Sequence, residues 1–258
     1  MNDNVRIWLN AEDSSSDVRI ALLSIDDLKP HEEIIPSNAV RLLYQIRLDN
    51  ILYNPIIVSE KGKIILDGTH RVWVFKKLEL QRIPALIVNY DDPQIKIGKW
   101  IRRITFPTED NIERVLCLIR KSFSLRRILY NANLNVVNDA NSYIIVGGEF
   151  FLIERDCSNV SFLRDLRNFE KIIVDEGICN RIEYVKDISS PLSYEKTIHL
   201  IPPKISKKDV YNVTMQNQLL PPKSTRHILP YKVPPLNVPL SFLNGHANEI
   251  KKVVREKP

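Results

Sequence analysis

The chain is poor in glycine, with seven in 258 residues. None of them forms the G-x-G-x-x-G or G-x-x-x-x-G-K-[ST] patterns that cradle phosphates in dinucleotide-binding and P-loop folds, and the glycine loop of protein kinases is missing with them. If this protein handles a nucleotide, it does so with another kind of turn. There are three cysteines, Cys117, Cys157 and Cys179, an odd number with no C-x-x-C or Cys/His ligand spacing. That excludes a disulfide framework and a structural zinc site, and leaves buried or idle thiols. No apolar run approaches the roughly 20 residues needed to cross a bilayer. The first residues, MNDNVRIWLNAEDSSSD, carry early acids and lack the apolar stretch of a secretory signal, so a cytoplasmic protein without membrane partners is expected.

What is present is ordinary for a globular protein: 44% hydrophobic and 26% charged residues. The length allows one large domain or two small ones closing on a cleft. Lys and Arg number 37 against 31 Asp and Glu, a net +6, which suits an anionic ligand without requiring nucleic acid. The basic residues are scattered except in the tail Lys251–Lys257, which reads as a solvated end.

Val18 to Leu28 reads as a strand, and Lys29-Pro30-His31-Glu32-Glu33 as a loop, because proline ends regular structure. A helix follows, with Ser37 as N-cap and Val40, Leu43 and Ile46 at helical spacing, stopping at Asp49-Asn50. Pro55–Val58 and Lys63–Leu66 flank Glu60-Lys61-Gly62 as a hairpin. Val72, Phe75 and Leu78 then line one face of a helix, and Pro84–Val88 is another strand. Beyond Trp100 the spacing predicts a helix over Ile112–Phe123, a hairpin turning at Gly147-Gly148, a helix over Phe162–Phe169 and a strand over Lys171–Val174. Ser206 and Asp209 have capping-box spacing. The segment Leu219–Leu240 contains six prolines, yet Ser224-Thr225-Arg226-His227 within it is chemically dense, so it reads as a functional loop.

The chemistry concentrates at Asp67-Gly68-Thr69-His70-Arg71. A strand ends there, a glycine permits a tight turn, and the first turn of a helix offers free N–H groups and a positive dipole to an anion. Arg71 adds a planar fork, His70 a further donor and Thr69 a hydroxyl. At this level a second reading stands beside the first, with Asp67 as an N-cap and His70 and Arg71 on a solvated face.

Leu66–Arg71, followed by Lys76-Lys77-Leu78 and Arg82–Ala85 and preceded by Pro55–Val58, resembles the ParB/sulfiredoxin fold over about residues 18 to 100. The corresponding turn of that superfamily binds nucleotide phosphates. Sulfiredoxins carry a reactive cysteine where this chain has Thr69, and a hydroxyl cannot form their thiol intermediates. ParB proteins carry a more arginine-rich turn for CTP and a helix-turn-helix domain, whereas Val72-Trp73-Val74 follows Arg71 here. Leu28–Glu32 and Pro222–Pro230, running on to Val238-Pro239-Leu240, are similar to the free L-serine kinase family, giving three matched segments in order.

That resemblance implies phosphoryl transfer from ATP or ADP, with Mg²⁺, to the hydroxyl of free L-serine, giving O-phospho-L-serine for cysteine and serine metabolism. It implies catalytic roles for Glu32, as the base, and for Asp67 and His70. Gly68, Thr69, His70 and Arg71 are then the nucleotide-phosphate site, and Trp100, Ser224, Thr225, Arg226 and His227 bind the serine. No protein metal ligand set is expected beyond nucleotide-borne Mg²⁺, with Asp67 as its one candidate. The expected fold is α/β (α+β): a ParB/sulfiredoxin-like nucleotide-binding domain over residues 1–103, a second α+β lobe over 104–215, and a substrate loop and tail over 216–258. The rival is a ParB-like nucleotide-gated DNA-binding or partner-binding protein.

Overall fold

The computed structural model describes residues 5–11, 14–128, 138–188, 196–233 and 235–243. The basic tail and His246 lie outside the described residues. The chain divides into two units: residues 1–96, 210–222 and 227–258 form one, and 97–209 with 223–226 form the other.

In the first unit a mixed sheet has the order β1 (Val5–Ala11), β2 (Ser14–Ser24), β7 (Arg82–Val88), β5 (Ile56–Ser59), β6 (Ile64–Asp67), β3 (Lys29–Pro30). The central pair β5 and β7 runs parallel, with Ile56 opposite Ala85 and Val58 opposite Ile87. Their apolar runs are continuous rather than alternating, as strands covered on both faces require. Ile56, Val58, Ile64, Ile65 and Ile83 are fully buried, each contributing on the order of 1.5–3 kcal/mol of burial. The helices α1 (Pro36–Asp49) and α2 (Thr69–Lys77) are neighbours, and α2 buries Val72, Val74 and Phe75. The chain returns at β16 (Val238–Pro239), which pairs with β4 (Ile51–Leu52). The expected hairpin at Glu60-Lys61-Gly62 is there, joining β5 to β6.

Three local expectations are corrected. The helix α1 starts at Pro36, with Pro rather than a Ser37 cap organising its first turn, since proline's fixed φ suits that position. Lys29-Pro30 is not loop but a short edge strand parallel to β6, a place where a missing N–H is tolerated. The first long strand continues from Ser14, and a 3₁₀ turn, Ile25–Asp27, closes it.

The second unit contains another six-stranded sheet, ordered β10 (Ser124–Ile128), β12 (Glu149–Glu154), β11 (Ser142–Val146), β14 (Thr197–Ile201), β9 (Ile101–Thr105), β13 (Arg181–Val185). The Gly147-Gly148 hairpin joins β11 to β12 as expected, both glycines having positive φ. The helix α3 (Glu109–Ser122) is capped by Thr108. The helix α4 runs over Asn159–Asp175 and absorbs the strand expected at Lys171–Val174, because Leu163, Leu166, Glu170 and Ile173 form one buried helical stripe. The helix α5 (Lys207–Met215), whose residues from Val210 on belong to the first unit, opens on the reciprocal Ser206–Asp209 box. The short strands β8 (Lys96–Gly98) and β15 (Arg226–Ile228) mark where the chain passes between units. Cys117 is exposed and Cys157 and Cys179 are half-buried, so none is a fully buried thiol. Among the described residues no helix is long and apolar enough to cross a membrane.

Candidate active site

The turn from β6 into α2 depends on Gly68. Its φ is 104°, in the left-handed region, and a Cβ there would lie 2.5 Å from Cγ2 of Ile56, a side chain with no exposure. No side chain caps α2, so the alternative with Asp67 as the N-cap is not what the sequence builds. The first helical bond is Val72 N–H to the Gly68 carbonyl, 3.0 Å, which puts the Thr69, His70 and Arg71 N–H groups in the donor-rich first turn.

Arg71 is turned back across that turn. Its guanidinium donates to the Asn54 carbonyl at 3.0 Å, to the Pro55 carbonyl and to the Asp67 carboxylate. Asp67 is exposed, and Arg71 is largely covered. His70 is tied upstream: the Ile35 N–H donates to its Nε2 at 2.9 Å. In that geometry Nε2 carries no proton and Nδ1 is the protonated nitrogen.

Glu32 sits in the segment that His70 anchors. The backbone on both sides of it is pinned to one residue: Leu220 N–H donates to the His31 carbonyl at 2.8 Å, and Glu33 N–H donates to the Leu220 carbonyl at 2.9 Å. The Glu32 side chain is 14% exposed, and its Oε1 lies 3.7 Å from Nε2 of buried His31, within ion-pair reach when His31 is protonated. His31 Nδ1 donates to the Ile65 carbonyl on β6 at 2.6 Å, which fixes the ring. The His227 ring meets His31 edge-on with centroids 5.2 Å apart, and its Nε2 shares a 2.8 Å hydrogen bond with the hydroxyl of Tyr90. Burial pushes the Tyr90 phenol above the ordinary tyrosine value, so it stays protonated. Glu32, His31, His227 and Tyr90 thus form one cluster. Tyr90 and His31 had not been singled out as site residues; the available signal for Tyr90 was its place just beyond the C-terminal end of a parallel strand, where α/β sheets bind ligands.

In the second unit Trp100 Nε1 donates to the Thr225 carbonyl at 2.9 Å. The Lys223 ammonium stands over the Trp100 ring, 4.6 Å from its centroid. Ser224 and Thr225 are buried, so this part of the proline-rich segment is structured. The Trp100 carbonyl accepts from Arg102 Nη1 at 2.8 Å, and Arg102 Nε donates to Glu170 at 2.8 Å. Arg102 and Glu170 are both 1% exposed. Tyr184 donates to the same carboxylate at 3.0 Å; burial and then the Glu170 charge push its phenol up to about 12. This buried network was missed; an arginine inside an apolar strand and a glutamate on the apolar stripe of α4 were its traces.

A cavity of about 390 Å³ opens in the second unit, with Lys99, Asp139, Lys186, Asp187, Lys204 and Arg226 in its walls. Asp139 lies 3.2 Å from Lys99 Nζ and 3.1 Å from Lys204 Nζ. Burial raises the Asp139 pKa, but hydrogen bonds and charge from the two lysines outweigh it and hold the carboxyl below its ordinary value. Arg226 Nε is buried without a hydrogen-bond acceptor, an arrangement that costs on the order of 1–3 kcal/mol.

No family model matches the sequence. Relatives do, along most of its length. An ATP-dependent L-serine kinase of Staphylothermus marinus is 28% identical over 88% of this chain and 92% of its own. A ParB-like protein of Sulfolobus acidocaldarius is 27% identical over 88% and 99%. The ADP-dependent L-serine kinase SerK of Thermococcus kodakarensis is 20% identical over 88% and 93%. A solved free serine kinase in complex with AMP superposes with a TM-score of 0.65 at 20% identity, covering 87% of this chain and 93% of that one. This chain has the free serine kinase fold. That fold includes both units, so the likeness extends well beyond residues 18 to 100, where the resemblance to the ParB/sulfiredoxin fold lies.

Proposed function

We propose that this protein is a free L-serine kinase that transfers the terminal phosphoryl group of ATP or ADP to the serine hydroxyl, yielding O-phospho-L-serine for cysteine or serine metabolism. The observation that carries the reading is Glu32: a largely covered carboxylate, pinned through the backbone on both sides and linked by the Ile35–His70 hydrogen bond to the first turn of α2.

In this reading the α2 N-terminus holds the donor phosphates through the N–H groups of Thr69, His70 and Arg71, with the Thr69 hydroxyl and the Nδ1–H of His70 as further donors. Gly68 lets the phosphates approach the backbone. Glu32 accepts the serine hydroxyl proton as the oxygen attacks phosphorus; the new P–O bond replaces the bond to the departing ADP or AMP. His31 adjoins Glu32 and can share that proton on Nε2. Among the described residues no cluster of three or more His, Cys, Asp and Glu could hold a metal. On the family resemblance Mg²⁺ would arrive on the nucleotide, shielding its phosphates, with Asp67 as the exposed carboxylate able to hold it through water. Trp100 with Ser224, Thr225, Arg226 and His227 serves the amino acid.

The test is direct: incubate purified protein with ATP or ADP, Mg²⁺ and each free amino acid in turn, and assay phosphoserine. Product formed with serine is expected, and its absence with both donors overturns the reading. The name of the Sulfolobus relative favours a second reading, a ParB-like DNA-binding module. It requires salt-sensitive DNA affinity, CTP preference and no response to serine.

A further inference from the structure

Leu220 holds the backbone on both sides of Glu32. Its N–H donates to the His31 carbonyl at 2.8 Å and its carbonyl accepts from the Glu33 N–H at 2.9 Å, a parallel bridge with Glu32 at its centre. Because a peptide unit is planar, fixing the unit on each side of Glu32 also fixes the direction in which its Cα–Cβ bond leaves the chain. The His31 ring adds a third anchor at the Ile65 carbonyl. Three anchors within His31–Glu33 thus surround a single carboxylate, the density of support that a precisely held functional group requires.

What holds Leu220 is independent of Glu32. The helix α5 ends in a Schellman motif: Asn217 takes φ 54°, its N–H donates to the Thr214 carbonyl at 3.0 Å, and the Gln218 N–H reaches back to the Val213 carbonyl at 2.9 Å, which satisfies carbonyls the helix end would otherwise leave open. Val210, Val213 and Thr214 are buried and seat this end of α5. Leu220 itself has no exposure. Pro221 and Pro222 follow it, each with φ locked near about −65°. A segment capped at one end, buried in the middle and stiffened at the other is a template and not a slack connection. Residues 210–222 belong to the same unit as Glu32.

We propose that Leu220 is a positioning residue for the phosphoryl transfer, acting through its backbone to aim the Glu32 carboxylate while its side chain seats that backbone. The inference rests on the serine kinase reading with Glu32 as the base, and adds to it the element that aims the base.

Leu220→Pro removes the N–H given to the His31 carbonyl at a bridge position outside any regular strand, where proline's φ is tolerated. In the phosphoserine assay kcat should fall about tenfold or more, as a small misplacement of a reacting group demands, while KM for the nucleotide stays within about threefold. Ile83→Ala is the control for lost stability alone: it empties a fully buried position on β7 without touching the bridge, and assayed where it is folded it should keep its kcat. Where Leu220→Pro does not fold, Asn217 carries the test. Valine accepts a positive φ poorly, so Asn217→Val should shift the segment and lower kcat about tenfold, whereas Asn217→Gly, at ease at that angle, should keep it. A folded Leu220→Pro protein with wild-type kcat, an equal loss of kcat in Ile83→Ala, or equal kcat in the two Asn217 variants overturns this inference and leaves the kinase reading standing. Wild-type protein that forms no phosphoserine overturns the kinase reading itself, before any variant is compared.

Discussion

The ring of His227 meets the ring of His31 edge-on, 5.2 Å between centroids, although the two lie in segments from opposite ends of the chain. His31 is held by the Ile65 carbonyl and His227 by Tyr90, so each ring is oriented by a partner of its own. Glu32 follows His31 directly, and its carboxylate inherits that rigidity. If Glu32 is the base, as proposed, a carboxylate held in this way would lose little freedom on taking a proton, which is what positioning contributes to catalysis.

Glu32→Gln keeps the shape and the backbone pins to Leu220 but removes the proton acceptor. Turnover with serine should fall about 10²-fold or more, with nucleotide affinity close to wild type. Steady-state phosphoserine assay and nucleotide titration check the two halves. A fully active variant would remove Glu32 from the mechanism.

Gly68→Ala tests the turn. The new Cβ meets Ile56, which has no room to retreat, on a backbone at φ 104°. Destabilisation on the order of 1–3 kcal/mol is expected, together with loss of nucleotide binding. Urea unfolding and nucleotide titration read the two effects, and a variant with unchanged nucleotide affinity would show that close approach to this backbone is not needed.

Arg71 was expected to fork around phosphate, and its fork is engaged by Asp67 and by the carbonyls of Asn54 and Pro55. A phosphate would compete with Asp67 for the guanidinium while the carbonyl contacts hold the arm in place. On that account Arg71→Ala weakens nucleotide binding about tenfold or more. Equal affinity in calorimetry would make Arg71 a brace of the turn and nothing else.

The legible parts of this fold were those whose signal is local. Asp67-Gly68, Lys61-Gly62 and Gly147-Gly148 announce turns because glycine alone accepts their backbone angles cheaply, and the apolar runs beside them could only be strands. Ile172-Ile173-Val174 misled because β-branched residues favour strands in isolation. The stripe from Leu163 through Leu166 and Glu170 to Ile173 buries one face of a longer helix, and that burial outweighs the local preference. The site divided the same way. His31, Glu32 and His227 lay in quotable segments, but the Tyr90–His227 bond spans 137 positions. The Arg71 carbonyl partners are invisible in principle, because every residue has a carbonyl and only the fold selects one.

Tyr90→Phe removes one hydroxyl from a partly buried pair. The His227 ring loses that one hydrogen bond, and burial already keeps the phenol from ionising, so the expected role of Tyr90 is to orient the ring and not to act as an acid near neutrality. Turnover should fall by about tenfold, with little change in nucleotide affinity. The pH profile should keep its shape, because no titration of Tyr90 is being removed; a profile that changes on the alkaline side would instead assign it a proton-transfer role.

Glu170 offers the sharpest separation of structure from catalysis in the second unit. It accepts from Arg102, Tyr184 and Arg167, and Arg102 in turn holds the Trp100 carbonyl whose indole reaches Thr225. Glu170→Ala strands a buried guanidinium and should cost about 3–5 kcal/mol, enough to unfold a marginal protein. Glu170→Gln keeps the acceptor oxygen while removing the charge, so it should fold with reduced stability and a loosened Trp100. KM for serine is then expected to rise severalfold while KM for the nucleotide stays put, with Trp100 fluorescence shifted. If KM for serine is unmoved in a folded Glu170→Gln protein, the network supports the sheet alone and Trp100 has no part in holding the acceptor.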